Sequence, residues 1–404
     1  MAAGQAGERP GAPDELPLGL PYDAAATGAG AGAGKPRLAR SQPISKTAAQ
    51  RRRDRNGFKR HAVPSELMSR AKAEVPAVGS PPEDLRRFVE WIEGQQDSRQ
   101  RFAWVLRDSL DELFDGQRTG RWCYQHITSK TERAHLGTMI EINLTKEFSI
   151  PNGEDLDWRV AGYDLDCKFS KEFGAWEIPM EMYLCSDHAE QSGAADHPAL
   201  VVWVQDDTSR WAAGVVRITD DMLAWKQDGS GRRAYNRDNK RKIAMTQRHR
   251  IHWLFGGMQT DLPANTLLRL SEGQRARIFA DGRSGQKRVD ALFRECQQQL
   301  IRRPVVLTVA QQDDAPKRAR DARTHLRAEG LLVLGHATPH PQIARDLGLD
   351  VPSKGEWLSV KLAPVDDEAG TDRPTTQYAG RRWALWREGD PVPLLPRASD
   401  DSDD

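Results

Sequence analysis

Residues 155–170 read Asp155-Leu-Asp157-Trp-Arg-Val-Ala-Gly-Tyr-Asp-Leu-Asp166-Cys167-Lys168-Phe-Ser170, and the organisation of the chain can be worked out from this stretch. The aromatic and β-branched residues between Trp158 and Phe169 predict extended backbone. In a strand, positions i and i+2 share a face, so Asp166 and Lys168 project together while Cys167 turns to the opposite side, into a core. Asp157, nine positions before Asp166, opens the strand and can converge on the same spot. Glu141 lies upstream on a segment of helical period, in which Leu136, Ile140 and Leu144 are four residues apart. Carboxylates gathered in this way make an oxygen-rich site for a hard divalent ion such as Mg²⁺. A lysine beside them stabilises charge on a phosphate and orients an attacking water as the ammonium, or deprotonates that water as the neutral amine. The competing reading is an ordinary cross-strand ion pair, because an acid-x-Lys triplet recurs by chance, as Asp238-Asn239-Lys240 does here. Context favours the site: the triplet sits mid-strand, next to an acidic helix residue.

Working outward, Leu85, Phe88, Val89 and Ile92 predict one helix, Phe102 to Phe114 a second and Thr131 to Phe148 a third. Ala175–Leu184, Leu200–Gln205 and Ala212–Ile218 predict further strands. Helices followed by about four strands predict an α/β fold with helices packed on a mixed sheet. Further on, Leu267 to Phe279 predicts a helix ending at Asp281-Gly282, and Gly285 opens another that carries Val289, Leu292 and Phe293. Pro304–Val309 reads as a strand, Ala319–Leu326 as a helix and Leu331–Leu334 as a strand. Two helices across a Gly-containing turn, then a helix and strands, predict a second domain with a helix-turn-helix of the winged type.

Composition agrees with two domains of different character. A length of 404 residues suits two domains plus tails. The net charge of +1 averages over blocks of opposite sign: −12 across residues 83–228 and +12 across 232–330. A basic block is the footprint expected of a phosphate binder. The expected division is an Ala/Gly/Pro-rich, disordered and partly basic extension over 1–80 and a first domain over 81–230. A basic linker over 231–242, a second domain over 243–388 and an acidic tail over 389–404 complete it. No run approaches the ~18 apolar residues of a membrane span. The N-terminus has no apolar core of a secretion signal. Four cysteines without CxxC spacing exclude a disulfide framework or a structural zinc site. A cytoplasmic protein is expected.

The same residues carry a resemblance. Gly137-Thr-Met-Ile-Glu141-Ile-Asn143, Asp155-Leu-Asp157 and Ala161 to Ser170 resemble the NaeI-type restriction endonucleases. Gly285-Gln-Lys-Arg288-Val-Asp-Ala-Leu-Phe293 and Ile301-Arg302-Arg303-Pro-Val-Val306 extend the likeness over roughly residues 84–388. It implies a nuclease domain of the PD-(D/E)xK class, close to the mismatch-repair enzyme MutH, and a C-terminal domain with a catabolite-activator-like helix-turn-helix. It implies Asp157 and Asp166 as metal ligands, Glu141 as the accessory carboxylate, Lys168 as the catalytic lysine and Mg²⁺ as the cofactor. A homodimer that cuts a GC-rich palindrome in double-stranded DNA, and takes a second DNA copy as effector, is implied too. One departure is visible: Leu156 precedes Asp157 where the class name has proline.

Candidate DNA contacts follow from charge and position. Gln286, Lys287 and Arg288 lie on the expected recognition helix, with Arg302 and Arg303 close by, and Arg118 and Arg121 lie in a loop able to clamp the duplex. A solvated charged face is the plainer reading of each. Two other functions compete with the restriction enzyme: a catalytically inactive DNA-binding regulator, and a strand-nicking repair endonuclease of the MutH kind. The complete set Glu141, Asp157, Asp166 and Lys168 argues against the first. Dimerisation separates the second, since two sites related by a two-fold axis cut both strands of a palindrome.

Overall fold

Among the described residues, three long helices precede the first strand: α1 (Arg86–Glu93), α2 (Ser98–Phe114) and α3 (Lys130–Phe148). The computed structural model describes residues 58–61, 75, 80–185, 193–227, 233–236, 238–312, 314–365 and 372–396. Ser129 caps α3 by accepting from the Glu132 backbone N–H. The apolar stripes turn inward as their spacing requires: Phe88, Val89 and Ile92, then Phe102, Leu106 and Leu110, then Leu136, Ile140 and Leu144, all buried. The strands that follow are β1 (Trp158–Val160), β2 (Tyr163–Ser170), β3 (Glu177–Pro179), β4 (Pro198–Gln205), β5 (Arg210–Arg217), β6 (Leu223–Ala224), β7 (Lys240–Ile243) and β8 (His252–Trp253).

Five of these strands form one mixed sheet, in the order β1-β2-β4-β5-β8. Its only parallel pair is β2 with β4; the other neighbours run antiparallel. Both faces are covered, so β4 is buried along its whole length. Leu200, Val202 and Val204 meet the three helices on one face. Ala199, Val201 and Trp203 meet Trp176 and Trp253 on the other. β1 and β2 are joined by Ala161-Gly162, both at positive φ (51° and 90°). A two-residue turn of that kind matches the twist of the strands and fixes their register. Trp158 pairs with Leu165, which sets Asp157 across from Asp166.

The second half runs α4 (Glu272–Ile278), α5 (Gly285–Glu295), β9 (Leu300–Arg302), α6 (Arg303–Ala310), α7 (Ala315–Leu326), β10 (Leu331–Leu334), α8 (His340–Asp346), β11 (Glu356–Pro364), β12 (Thr375–Tyr378) and β13 (Arg381–Leu385). β11 is the hub of its sheet: β9, β10 and β13 all pair with it, and β12 pairs with β13. The mixed α/β class expected from the sequence is the class observed.

Several local expectations change. Pro304–Val309 is helical, not a strand. Its β-branched run mimics a strand, but Pro304 sits in the first turn, where the missing N–H costs nothing. The helix expected from Leu267 to Phe279 is two, Thr266–Arg269 and α4, because Ser271 and Gln274 form a capping box that starts α4 afresh. The described part of the expected linker 231–242 is not a loose connection. Residues 233–234 pair with 226–227, and β7 pairs with β3 and β6, with Arg241 buried. Of the extension 1–80, most lies outside the described residues, but 58–61 are held against the protein. Phe58 stacks on Phe279 at 6.2 Å, and the side chain of Gln311 bonds both the N–H and the C=O of Lys59 at 2.8 and 2.9 Å. His61 Nε2 lies 2.8 Å from the Thr119 carbonyl. The tail expected over 389–404 is packed at its start, where Leu395 is fully buried; residues 397–404 lie outside the described set.

The described residues belong to one compact unit, and its two halves meet through charge. Arg107 of α2 is fully buried, donates to Asp206 at 2.5 Å and is ion-paired with Asp111 at 2.8 Å. Burial alone lowers a guanidinium's pKa; the two carboxylates outweigh it and hold Arg107 above the ordinary arginine value. Arg302 of β9 reaches across to Asp108 and Asp111, while Asn265 donates both to Asp206 and to the Trp122 carbonyl. Trp122 and Cys123 sit in the apolar core of the second half, against α5, α6 and α7. Arg107→Ala should therefore destabilise the protein by about 3–5 kcal/mol, since it strands the buried charge of Asp206. Urea unfolding measures it, and a loss under about 1 kcal/mol contradicts the network's structural role.

Candidate metal centre

Four side chains converge at the β1–β2 edge of the mixed sheet. Glu141 comes from α3, Asp157 from the residue before β1, and Asp166 and Lys168 from β2. One oxygen from each of the three carboxylates lies within 4.8 Å of the others. Lys168 pairs with Asp166. Cys167 points to the opposite side, buried in the core against the helices, as alternation predicts; burial pushes its thiol well up, so it stays protonated. A chain of two hydrogen bonds sets the helix against the hairpin. Trp158 Nε1 donates to Thr145 Oγ1 at 2.8 Å, and Thr145 Oγ1 donates to the Glu141 carbonyl at 2.8 Å. Asn143 ties α3 to α2 by donating to Ser109 and Glu112 at 3.0 Å each.

The electrostatics are those of crowded like charges. Asp157 is pushed up to about 6, first by the hydrogen bond it shares with Asp166, then by burial and by the charge of Asp166, with Lys168 opposing. Glu141 is raised by burial and then by Asp157. Asp166 is buried, and its Oδ1 is sealed from solvent without a hydrogen-bond partner. A buried carboxylate oxygen left over in this way calls for a further partner. An all-oxygen donor set suits a hard divalent cation such as Mg²⁺. The residues present fit that ion.

The candidate DNA contacts fare unevenly. Lys287 and Arg303 are exposed. Arg118 is exposed too, and is paired with Asp115 at 2.7 Å on its own turn. Arg121 is largely covered and held by Glu132 at 2.7 Å. Gln286 donates to Asp290 and to the Arg318 carbonyl. Arg302 is engaged across the seam between the halves. Arg288, expected to contact DNA, is instead buried, and its guanidinium donates to the carbonyls of Arg283, Val309 and Ala310. It closes the C-terminal end of α6 and has nothing to offer a duplex. On the solvent side of α7, Lys317 and Thr324 are exposed and Arg320 lies between them, a spacing of i, i+3, i+7 that sets the three on one side of the helix.

Helices over a mixed sheet, with carboxylates and a lysine at its edge, define a class: enzymes that hydrolyse phosphodiesters. Comparison with known proteins narrows this. The family described as restriction endonuclease NaeI matches residues 87–393. A curated relative, the type II restriction enzyme NaeI of Lentzea aerocolonigenes, is 39% identical over 330 residues, which span 79% of this chain and 96% of that protein. The chain belongs to the NaeI restriction endonuclease family and is a site-specific restriction endonuclease acting on double-stranded DNA. No helix among the described residues is long and apolar enough to cross a membrane.

Two outcomes follow from the centre's geometry. Asp166→Asn should lower the cleavage rate by about a thousandfold or more. DNA binding should be unchanged or tighter, because a negative charge near the phosphate is gone. Cleavage and gel-shift assays read the two effects separately, and near-normal cutting removes Asp166 from the site. The second outcome concerns pH. A cation displaces the proton that Asp157 holds below about 6, so affinity for Mn²⁺ should fall as pH drops through that value and level off above it. Calorimetric titration of the protein without DNA measures this; an affinity flat between about pH 5 and pH 8 contradicts the shared proton.

Proposed function

We propose that this protein is a Mg²⁺-dependent type II endonuclease of the PD-(D/E)xK class, working in the cytoplasm as a homodimer on a GC-rich palindrome and stimulated by a second DNA copy. The convergence of Glu141, Asp157, Asp166 and Lys168 at one sheet edge carries the reading. Asp157 and Asp166, with Glu141 beside them, would hold the ion. Bound there, Mg²⁺ supplies positive charge against the phosphate and lowers the pKa of water. Lys168 Nζ, in contact with Asp166, would orient the attacking water and neutralise the developing charge as the ammonium, and could take the water's proton only as the neutral amine. Asp157 takes part only when deprotonated, which its shift to about 6 permits at neutral pH.

In this reading, residues 81–230 carry the chemistry and residues 243–388 bind the second duplex. The succession α5, β9, α6, α7, β10, β11 has the order of a winged helix, with α6 and α7 as the helix-turn-helix and α7 as the helix that enters the groove. Lys317, Arg320 and Thr324 then face base edges or phosphates, with Lys287 and Arg303 as flanking phosphate contacts. Arg118, exposed on the first half, suits the same role toward the substrate duplex.

The test begins with unmethylated plasmid and Mg²⁺ and with mapping of the cut ends; a defined palindrome cut on both strands supports the proposal, and nicks alone sink it. On a plasmid with one mapped site, adding a short duplex of that sequence should raise the initial rate by about five- to 150-fold, the usual range of coupling between two sites. Lys317→Glu with Arg320→Glu should remove the increase and leave the basal rate. A rate that never rises with the added duplex removes the effector role of the second half.

A further inference from the structure

Past the carboxylates, α3 and the end of β2 bring two cations around one aromatic ring. Arg133, Gly137 and Glu141 follow one another at four-residue intervals on α3 and so lie on one side of it. A Cβ at Gly137 would stand 3.5 Å from the Phe169 Cβ, so this side of α3 faces β2. Lys171 leaves β2 three residues beyond Lys168. Its Nζ lies 4.5 Å from the centroid of the Tyr124 ring, and Arg133 Cζ lies 5.7 Å from the same centroid. The two cations are therefore within about 10 Å of each other. Arg133 donates to the Ile127 carbonyl at 2.6 Å. Neither Arg133 nor Lys171 has a carboxylate in ion-pair contact among the described residues.

Both cations are half-buried, and Tyr124 is buried beneath them. Burial, then the like charge of Arg133, holds the Lys171 ammonium below the usual lysine range, and Glu172 only partly opposes this. Two like charges, partly desolvated and without a carboxylate in ion-pair contact among the described residues, are unfavourable alone and become favourable once an anion arrives. The distance identifies the anion. Eight helical residues from Glu141 to Arg133 span about 12 Å, and three extended residues from Lys168 to Lys171 span about 10 Å. Along the backbone the two cations thus leave their elements about 10–12 Å from the carboxylates, a separation that suits a neighbouring phosphate of the bound strand rather than the one being cut.

We infer that Arg133 and Lys171, seated on Tyr124, form a subsite for a DNA backbone phosphate that neighbours the scissile one on the cleaved strand. The subsite anchors the strand at a second point, which sets the angle at which the scissile phosphate meets Asp166 and Lys168. This rests on the nuclease reading of the carboxylate centre, but it can be tested without cleavage. Lys171→Gln, Arg133→Gln and the double variant would be titrated with a short GC-rich duplex in the absence of divalent metal. Fluorescence anisotropy over a series of salt concentrations gives the slope of log affinity against log salt. Each lost phosphate contact should reduce that slope by about one. Lys171→Arg should restore it, and Mn²⁺ binding to the free protein should match the wild type in every variant.

A double variant that melts like the wild type and keeps its full salt slope overturns the subsite. Should the double variant melt early, Lys171→Met decides, since its stem still covers Tyr124: an unchanged slope again overturns the inference, and a reduced slope supports it. Failure of the nuclease reading shows separately, as loss of cutting in the wild type with the salt slopes still measurable.

Discussion

Three carboxylates within 4.8 Å of one another repel, and much of the first half is arranged to prevent their separation. The tight turn at Ala161-Gly162 places Asp157 across from Asp166 and allows no slip of register, because a slip of one residue would turn every side chain of β1 to the wrong face. α3 cannot drift, since Thr145 links its backbone to Trp158 and Asn143 ties it to α2. The free energy stored in the repulsion is returned when a cation is bound. A site that is uncomfortable when empty is a site with affinity.

The centre was legible in the sequence because it is local. Asp157, Asp166 and Lys168 occupy one hairpin, and strand alternation alone separates Lys168 from Cys167. Glu141 needed only a helical period to be placed. The second half was less legible because arginines there have two uses that look alike in a sequence. Arg288 is surrounded by basic and polar neighbours and reads as exposed, yet three carbonyls claim its guanidinium. Arg302 likewise serves the seam between the halves. Only the tertiary fold reveals which carbonyls and carboxylates lie nearby. Pro304–Val309 failed for a related reason: its intrinsic preference for extended backbone is overridden by packing of Val306 and Val309 into the helical core.

The opposed charge blocks gain a structural meaning where the halves meet. Asp108 and Asp111 of the acidic block engage Arg302 of the basic one, and Arg107 is fixed between Asp111 and Asp206. α2 thus carries the seam on one side and, through Ser109 and Glu112, supports Asn143 of α3 on the other. Any shift of β9 relative to α2 has a short covalent and hydrogen-bonded route to the helix that bears Glu141.

Residues 58–61 precede the stretch matched by the family, yet they are joined to it. The Lys59 carbonyl stands 2.5 Å from where a Cβ at Gly120 would project, and Gly120 has a φ of 72°. Gln311, at the end of α6, holds the same residue by both backbone polar groups. The groove that receives this segment exists only while position 120 lacks a side chain and position 311 carries an amide of that length. Three stretches far apart in the chain thereby share one fate under mutation. A lineage that lost the extension would be free to vary Gln311, whereas the positive φ at position 120 would still favour glycine there.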